Sequence, residues 1–337
     1  MPRIQQRRSL RAAVSTGLLI MLTSGLPVPM ATAEPLGQPV ESSVISADGT
    51  TISVKEYGPA YDQAPTVVLV HGWPDNSDVW SKVIPLLADR YHVVNYDPRG
   101  SGASDHPDAV SDYELPKLSQ DFEAVVDRTA PGVKVHVLAH DWGAIQTWES
   151  AARIPEKFSS FTFISGPSLD LLSGSLQREF GNITAWPALY YQAMASSYVP
   201  FNYLPVLPEA FWNSGLGAQL MRAYVGLEGG QHEEYSGRDG AAQTNLYRAN
   251  MFQRLLNPTY DHVEVPVVQQ IRPSIDPFVT PVYFNGLENA VPSLWRRTVG
   301  VGHWTPLTNP WAVAQYTSEL IEFREHGTPA PAGTVVK

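Results

Sequence analysis

The sequence predicts an α/β fold: a mostly parallel sheet with helices on both faces, interrupted once by a long helical insert. Three observations carry this. Short, continuous apolar runs such as "TVVLV" (66–70) have no polar face, as expected of strands buried on both sides. These runs alternate with helix-length stretches, the rhythm of strand–helix–strand units. The rhythm stops near Pro167 and resumes near Val263, and the stretch between holds no strand of that kind.

Taken in order, "SVISADGTTISVKEYG" alternates polar and apolar residues around Asp48-Gly49 and reads as a strand pair. "TVVLV" follows, ending in "HGWPD" (71–75); "SDVWSKVIPLLADR" reads as helix. "YHVVNYDPRGSGASD" is a strand and a Gly-rich loop, and residues around 119–129 are helical. "VKVHVLAH" is the next strand, 143–154 the next helix and "FSSFTFISGP" (158–167) the sixth strand. Residues 168–260 carry Phe180, Trp186, Tyr190, Tyr191, Tyr198, Phe201, Tyr203, Phe211, Trp212 and Tyr224, and are read as a helical lid over a site. "VEVPVVQQI" (263–271) and "LWRRTVGVGHW" restore the strands, and a closing helix lies within 308–325. The expected division is therefore 34–167 and 261–326 as the two parts of the α/β core, 168–260 as the lid and 327–337 as a disordered tail.

Residues 1–33 stand apart. Arg3, Arg7, Arg8 and Arg11 precede a short apolar stretch broken by Gly and Pro, and "ATA" ends it. This is the three-part form of a secretory signal peptide, cleaved after Ala33, by the general route or the twin-arginine one. The apolar stretch is short for a membrane anchor, so no stable membrane insertion is expected after processing. Losing four arginines takes the formal net charge from −10 to −14. An acidic surface argues against nucleic acid as a partner. There is no cysteine, so neither disulfides nor thiolate metal sites are available.

The chemistry concentrates where strands end. In "AHDWG" (139–143) an aspartate stands at a strand-to-helix turn where hydrolases usually place serine. A carboxylate titrating near its ordinary value of ~3.9 needs no base to become a nucleophile. Attack on an acyl carbon would give an uphill anhydride. Attack on a saturated carbon gives a stable alkyl ester, so Asp141 points to displacement at carbon followed by ester hydrolysis. The plainer alternative is a helix N-cap. Backbone N–H groups of Trp73 and Trp142 are the candidate oxyanion hole, and Trp73-Pro74 is a candidate cis peptide. His303, directly after the last strand, is placed to activate the water that cleaves the ester. Asp276 in "SIDPFVTP" is placed to orient it, in the chain order nucleophile, acid, base. Asp261 and Glu264 precede their strand and are weaker substitutes; His140 reads as packing and His71 as a structural hydrogen-bonder. No His, Asp or Glu spacing suggests a metal.

"HGWPD", "YDPRGSGASD", "AHDWGA", "SIDPFVTP" and "GVGHWTP", in this order over residues 40–325, resemble the α/β-hydrolase fold, in its epoxide hydrolase and haloalkane dehalogenase branch. The resemblance implies two lid tyrosines that donate hydrogen bonds to an epoxide oxygen. "NLYRANM" is similar to the motif of the second, giving Tyr247; "SSYVPF" gives Tyr198 as the first, with Tyr190 and Tyr191 as rivals. It implies an epoxide as small-molecule substrate, a vicinal diol as product and no cofactor, and the aromatic lid suggests that the epoxide is sizeable and apolar. A haloalkane dehalogenase with the same triad is the alternative, and a silent ligand-binding protein the remote one. Two departures stand out: Gln269-Gln270 replaces an apolar run before the acid loop, and Trp73 occupies the position where dehalogenases commonly carry Asn.

Overall fold

The computed structural model describes residues 37–232, 235–331 and 334–336; the expected signal segment lies outside them. The sheet is built from β1 (Val40–Ile45), β2 (Thr51–Tyr57), β3 (Thr66–Val70), β4 (His92–Asp97), β5 (Val135–His140), β6 (Phe158–Ile164), β7 (Val268–Pro273), β8 (Leu294–Val299) and β9 (Val335–Val336). Their order is β1-β2-β4-β3-β5-β6-β7-β8-β9. From β4 to β8 every pairing is parallel; β1, β2 and β9 run antiparallel at the two edges.

Helices follow in chain order: α1 (Ile84–Leu87), α2 (Leu115–Thr129), α3 (Trp142–Arg153), then α4 (Leu169–Phe180), α5 (Trp186–Ala195), α6 (Tyr198–Phe201), α7 (Leu207–Asn213), α8 (Leu216–Leu227), α9 (Gly237–Ala242) and α10 (Thr244–Leu256), and after β8, α11 (Thr305–Thr308) and α12 (Pro310–His326). Helices α4 to α10 form the insert between β6 and β7. Central strands divide their side chains between two cores, as the two-residue strand period requires. Val68, Val70, Val137 and Phe161 join Phe122 and Val125 of α2 and Trp148 of α3 on one face. Val67, Leu69, Leu138 and Ile271 join Leu87 of α1 and Val313 and Ile321 of α12 on the other. Both faces are dry, so these strands carry apolar residues without alternation.

Three expectations are corrected. The stretch "SDVWSKVIPLLADR" is not one helix but a 3-10 turn, Ser77–Trp80, and the four-residue α1, with Pro85 in its first turn. Proline supplies no N–H to a preceding turn, which divides the segment there. Strand β7 starts at Val268 and not at Val263, because Pro266 interrupts the run. The tail expected to be disordered returns to the sheet: Val335 and Val336 pair with Arg296 and Trp295 of β8. Gln269 and Gln270 stay buried in β7 because their amides are used. Gln269 donates to the Tyr316 carbonyl at 3.0 Å and the Thr162 hydroxyl at 3.2 Å, and Gln270 accepts from Arg296 at 3.3 Å.

Candidate active site

Open parallel sheets place their sites beyond the carboxyl ends of the strands. Trp73 follows β3, Asp141 follows β5, Asp276 follows β7 and His303 follows β8, so the topology brings all four to one edge.

Asp141 sits between β5 and α3 at φ 51° and ψ −125°, a left-handed conformation that costs a non-glycine residue energy. Its neighbours enforce it. Its N–H donates to the Ile164 carbonyl at 2.9 Å, and its carbonyl accepts from Ala144 and Ile145 at 2.9 and 3.1 Å. A Cβ at Gly143 would collide with the Val70 carbonyl, and one at Gly72 would strike the Asp141 carboxylate and stand 2.5 Å from the Trp142 nitrogen. Two glycines therefore let the β3 loop and this turn touch. Asp141 stands at the N-cap position of α3, but its side chain makes no capping hydrogen bond to the N–H groups beyond Trp142, so the N-cap role is not what its carboxylate serves. Instead its Oδ1 accepts from the Trp73 N–H at 2.9 Å and the carboxylate is held by the Trp142 N–H as well. The Trp73-Pro74 peptide is cis.

On the other oxygen, Oδ2, His303 Nε2 stands 3.7 Å away. His303 Nδ1 bonds Asp276 Oδ2 at 3.0 Å. Asp276 is held in turn by the Ser165 hydroxyl at 2.6 Å and by the N–H groups of Phe278 and Val279 at 2.8 and 3.0 Å. All three ionisable side chains are buried. Burial pushes the Asp141 carboxyl up, to about 6, against the His303 charge and the two N–H donors that favour its ionised form. The expectation of an ordinary aspartate is thus corrected. Burial also works against a charged His303, but the charge and hydrogen bond of Asp276, then Asp141 and Glu228, outweigh it and raise the imidazole to about 9. Burial opposes an ionised Asp276 too, yet the His303 charge and its donors hold it below the usual carboxylate range.

The insert lowers two phenols toward this edge. Tyr247 of α10 is 1% exposed, its ring 4.8 Å from Trp142 and 5.3 Å from Trp73. Tyr198, opening α6, stacks on Trp73 at 6.3 Å and meets the Tyr247 ring edge-on at 6.0 Å. Burial first, and the nearby Asp141 charge among the further causes, raise both phenols, so each keeps its proton. The rivals Tyr190 and Tyr191 face solvent, 71% and 58% exposed. The insert's aromatics are therefore not all turned to the site: Phe180, Trp186 and Tyr190 line an outward cleft of about 410 Å³.

Sequence reasoning missed Ser165, Asp75 and Glu228. Ser165 adopts φ 55° just past β6, and its hydroxyl supports Asp276. Asp75, the last residue of "HGWPD", accepts from Trp304 Nε1 at 3.1 and 3.2 Å and so fixes the residue after His303. Glu228 reaches from the insert to the His303 backbone. Such partners act across the fold and leave no local spacing to read. His140 Nε2 donates to the His303 carbonyl at 3.0 Å, and His71 donates to the Gly72 carbonyl and bonds the Ser101 hydroxyl. Asp261 is exposed beside His262, away from His303. Among the described residues no group of three or more His, Asp or Glu side chains is placed to hold a metal ion, and no helix is long and apolar enough to cross a membrane.

Comparison with known proteins agrees with this architecture. The model of the alpha/beta hydrolase fold matches residues 65–310. The chain is 36% identical over 312 residues to the "Probable oxidoreductase EphD" of Mycobacterium tuberculosis, covering 88% of this chain and 52% of that protein, so it spans about half the length of that relative. It is 33% identical over 135 residues to "Epoxide hydrolase A" of the same organism, over 40% of this chain and 41% of that one. An inhibitor-bound epoxide hydrolase from Bacillus megaterium superposes with a TM-score of 0.68 at 22% identity, over 83% of this chain and 99% of that one. A strand-end carboxylate, a supporting histidine loop and a helical insert after the sixth strand are thus carried on a sheet of known kind: the chain belongs to the α/β-hydrolase fold family.

Proposed function

We propose that the protein hydrolyses an apolar epoxide to a vicinal diol through an ester on Asp141. One observation carries this reading. A carboxylate, not a hydroxyl, occupies the turn, with one oxygen held by the Trp73 N–H and the other open toward His303, beside two protonated phenols. Named epoxide hydrolases among the relatives support it.

The division between the two oxygens assigns the steps. Oδ2 attacks a ring carbon; the bond from that carbon to Asp141 Oδ2 forms as the ring C–O bond breaks. The alkoxide takes a proton from Tyr198 or Tyr247. Esterification removes the Asp141 charge, one of the charges that raise His303, so His303 gives up its proton to restore the phenol. Now neutral, it takes a proton from water. The hydroxide adds to the Asp141 carbonyl carbon, and the oxyanion that forms on Oδ1 already has the Trp73 N–H as donor, with the Trp142 N–H on the same carboxyl group. Collapse expels the second oxygen as an alkoxide, which takes the proton of the Asp141 carboxyl and leaves as the diol; His303 keeps the proton taken from water, and the resting ion pair returns. No cofactor enters this balance.

A dehalogenase reading shares the triad but wants donors for a halide. The Trp73 indole N–H is engaged, donating to the Gly240 carbonyl at 3.0 Å. Turnover of aryl and aliphatic epoxides without release of chloride or bromide from haloalkanes is the expected specificity. The reaction course is tested by one enzyme-excess turnover in oxygen-18 water. Label is expected in the Asp141 carboxylate; label in the diol alone means that water attacked the epoxide directly. Export is proposed on the N-terminal 33 residues, and N-terminal sequencing of protein from the culture medium is expected to begin at Glu34.

A further inference from the structure

Glu228 follows the last turn of α8 and belongs to the insert, yet its contacts are with the loop of the candidate base. Oε1 accepts from the His303 N–H and Oε2 from the Trp304 N–H, both at 3.1 Å. Gly302 is glycine at the place where a Cβ would collide with this carboxylate. Tyr224, one helical turn earlier, hydrogen-bonds the same carboxylate and packs its ring on Trp304 and on Phe278, 5.5 Å from each. Phe278 in turn lies 5.1 Å from the His303 ring. A bidentate carboxylate on two successive N–H groups is a charge-assisted, orientation-fixing contact. Here it joins the insert to the residue that must move a proton.

We propose that Glu228 is a positioning residue for His303: it ties the His303–Trp304 backbone to the insert and supplies a fixed negative charge beside the imidazole. The groups facing that imidazole are Asp276 from the β7 loop, Asp141 from the turn after β5, His140 from the end of β5, and Glu228 from the insert. In the esterified state, which rests on the reaction proposed above, Asp141 is neutral. Asp276 and Glu228 are then the two carboxylates left to hold His303 ready for water. A group that only braced the loop would leave the titration of His303 where it was.

The test reads the free protein, so its outcome does not depend on the reaction. The His303 imidazole of the full chain is titrated by NMR in wild type, Glu228→Gln, Glu228→Ala and Glu228→Asp. Glu228→Gln and Glu228→Ala are expected to lower the midpoint by about half a pH unit or more, as loss of a nearby negative charge requires, and Glu228→Asp to restore most of it. An unchanged midpoint in both Gln and Ala variants overturns the proposal. Should Glu228→Gln not fold, Glu228→Asp carries the test, because its side chain, one methylene shorter, does not reach the two N–H groups at hydrogen-bond distance. Faster hydrogen exchange at His303 and Trp304 is then expected, and unchanged exchange overturns the proposal. With substrate, Glu228→Gln is expected to slow ester breakdown about tenfold while ester formation stays within about twofold. A wild type that forms no ester refutes the reaction, and leaves the titration result standing.

Discussion

Asp141 is asked to do two things that conflict: to be buried, and to be charged. Its neighbours resolve this only in part, leaving the carboxyl at about 6. Two outcomes follow for the reaction. The protonated carboxyl is not a nucleophile, so kcat/KM is expected to fall as pH drops through about 6, the limb that reports a group on the free enzyme. Asp141→Asn is expected to be inactive at every pH, because an amide oxygen does not open the ring. The phenols divide the remaining work. In the proposed reaction each donates one hydrogen bond to developing charge, so Tyr198→Phe and Tyr247→Phe are each expected to raise the barrier by about 1–3 kcal/mol. Tyr247 should cost more, being packed between two indole rings with no freedom to be replaced by water. Single-turnover ring opening in the two variants and the double variant measures this. Wild-type rates in Tyr247→Phe would remove the main argument against a dehalogenase.

At the scale of elements, the insert is fastened at its root. Arg254 of α10 pairs with Glu149 of α3 and, at 3.3 Å, with Asp170 of α4; both acids are nearly buried. The first and last helices of the insert are thereby tied to the helix that follows Asp141. Burial raises both carboxyls, with the Arg254 charge opposing it. Arg254→Met strands two buried negative charges and is expected to lower unfolding stability by about 3–5 kcal/mol at neutral pH, measured by chemical denaturation. The loss should shrink as pH falls, because the stranded carboxyls, already raised by burial, take up protons, and in the triple variant that adds Glu149→Gln and Asp170→Asn. None of this clasp was legible in the sequence, whereas the strands and the loops after them were. A strand buried on both faces writes its burial into a local run, and Asp141, Asp276 and His303 are recognisable because each follows such a run. Ser165, Glu228 and Arg254 act on Asp276, His303 and Glu149, which lie 111, 75 and 105 residues away along the chain, through hydrogen bonds or ion pairs that any polar residue could make. The tail misled for a related reason: two valines in a Pro- and Gly-rich segment carry no periodicity, and only the open edge of β8 gives them a place.

For the whole molecule, the site sets how stability depends on pH. His303 is raised in the fold from 6.5 to about 9, so the folded state holds its proton more tightly than the unfolded chain does. The stabilisation this gives is fully present below pH 6.5 and is lost as pH rises toward 9. At 1.36 kcal/mol for each tenfold change in proton affinity it amounts to about 3 kcal/mol. Asp141 has the same sign in a lower window. Its carboxyl is raised from 3.8 to about 6, so the fold favours the neutral form and loses that preference as pH rises between those values. Asp97 runs the other way. Burial would raise it, but the hydrogen bond and charge of His71 and the N–H groups of Ser77 and Ala103 hold it at about 2, so its contribution is lost as pH falls from 3.8. Unfolding free energy of wild type is therefore expected to decline between pH 6.5 and 9 by about 3 kcal/mol more than that of His303→Gln, which has no proton to lose there. Asp141→Asn removes a charge the fold disfavours and is expected to be more stable than wild type above pH 6, by about 1–3 kcal/mol. Denaturation series at matched pH values compare the three proteins. If His303→Gln tracks wild type across the alkaline window, the imidazole does not carry its proton in the resting state, and the ion pair with Asp141 from which the reaction starts is not there.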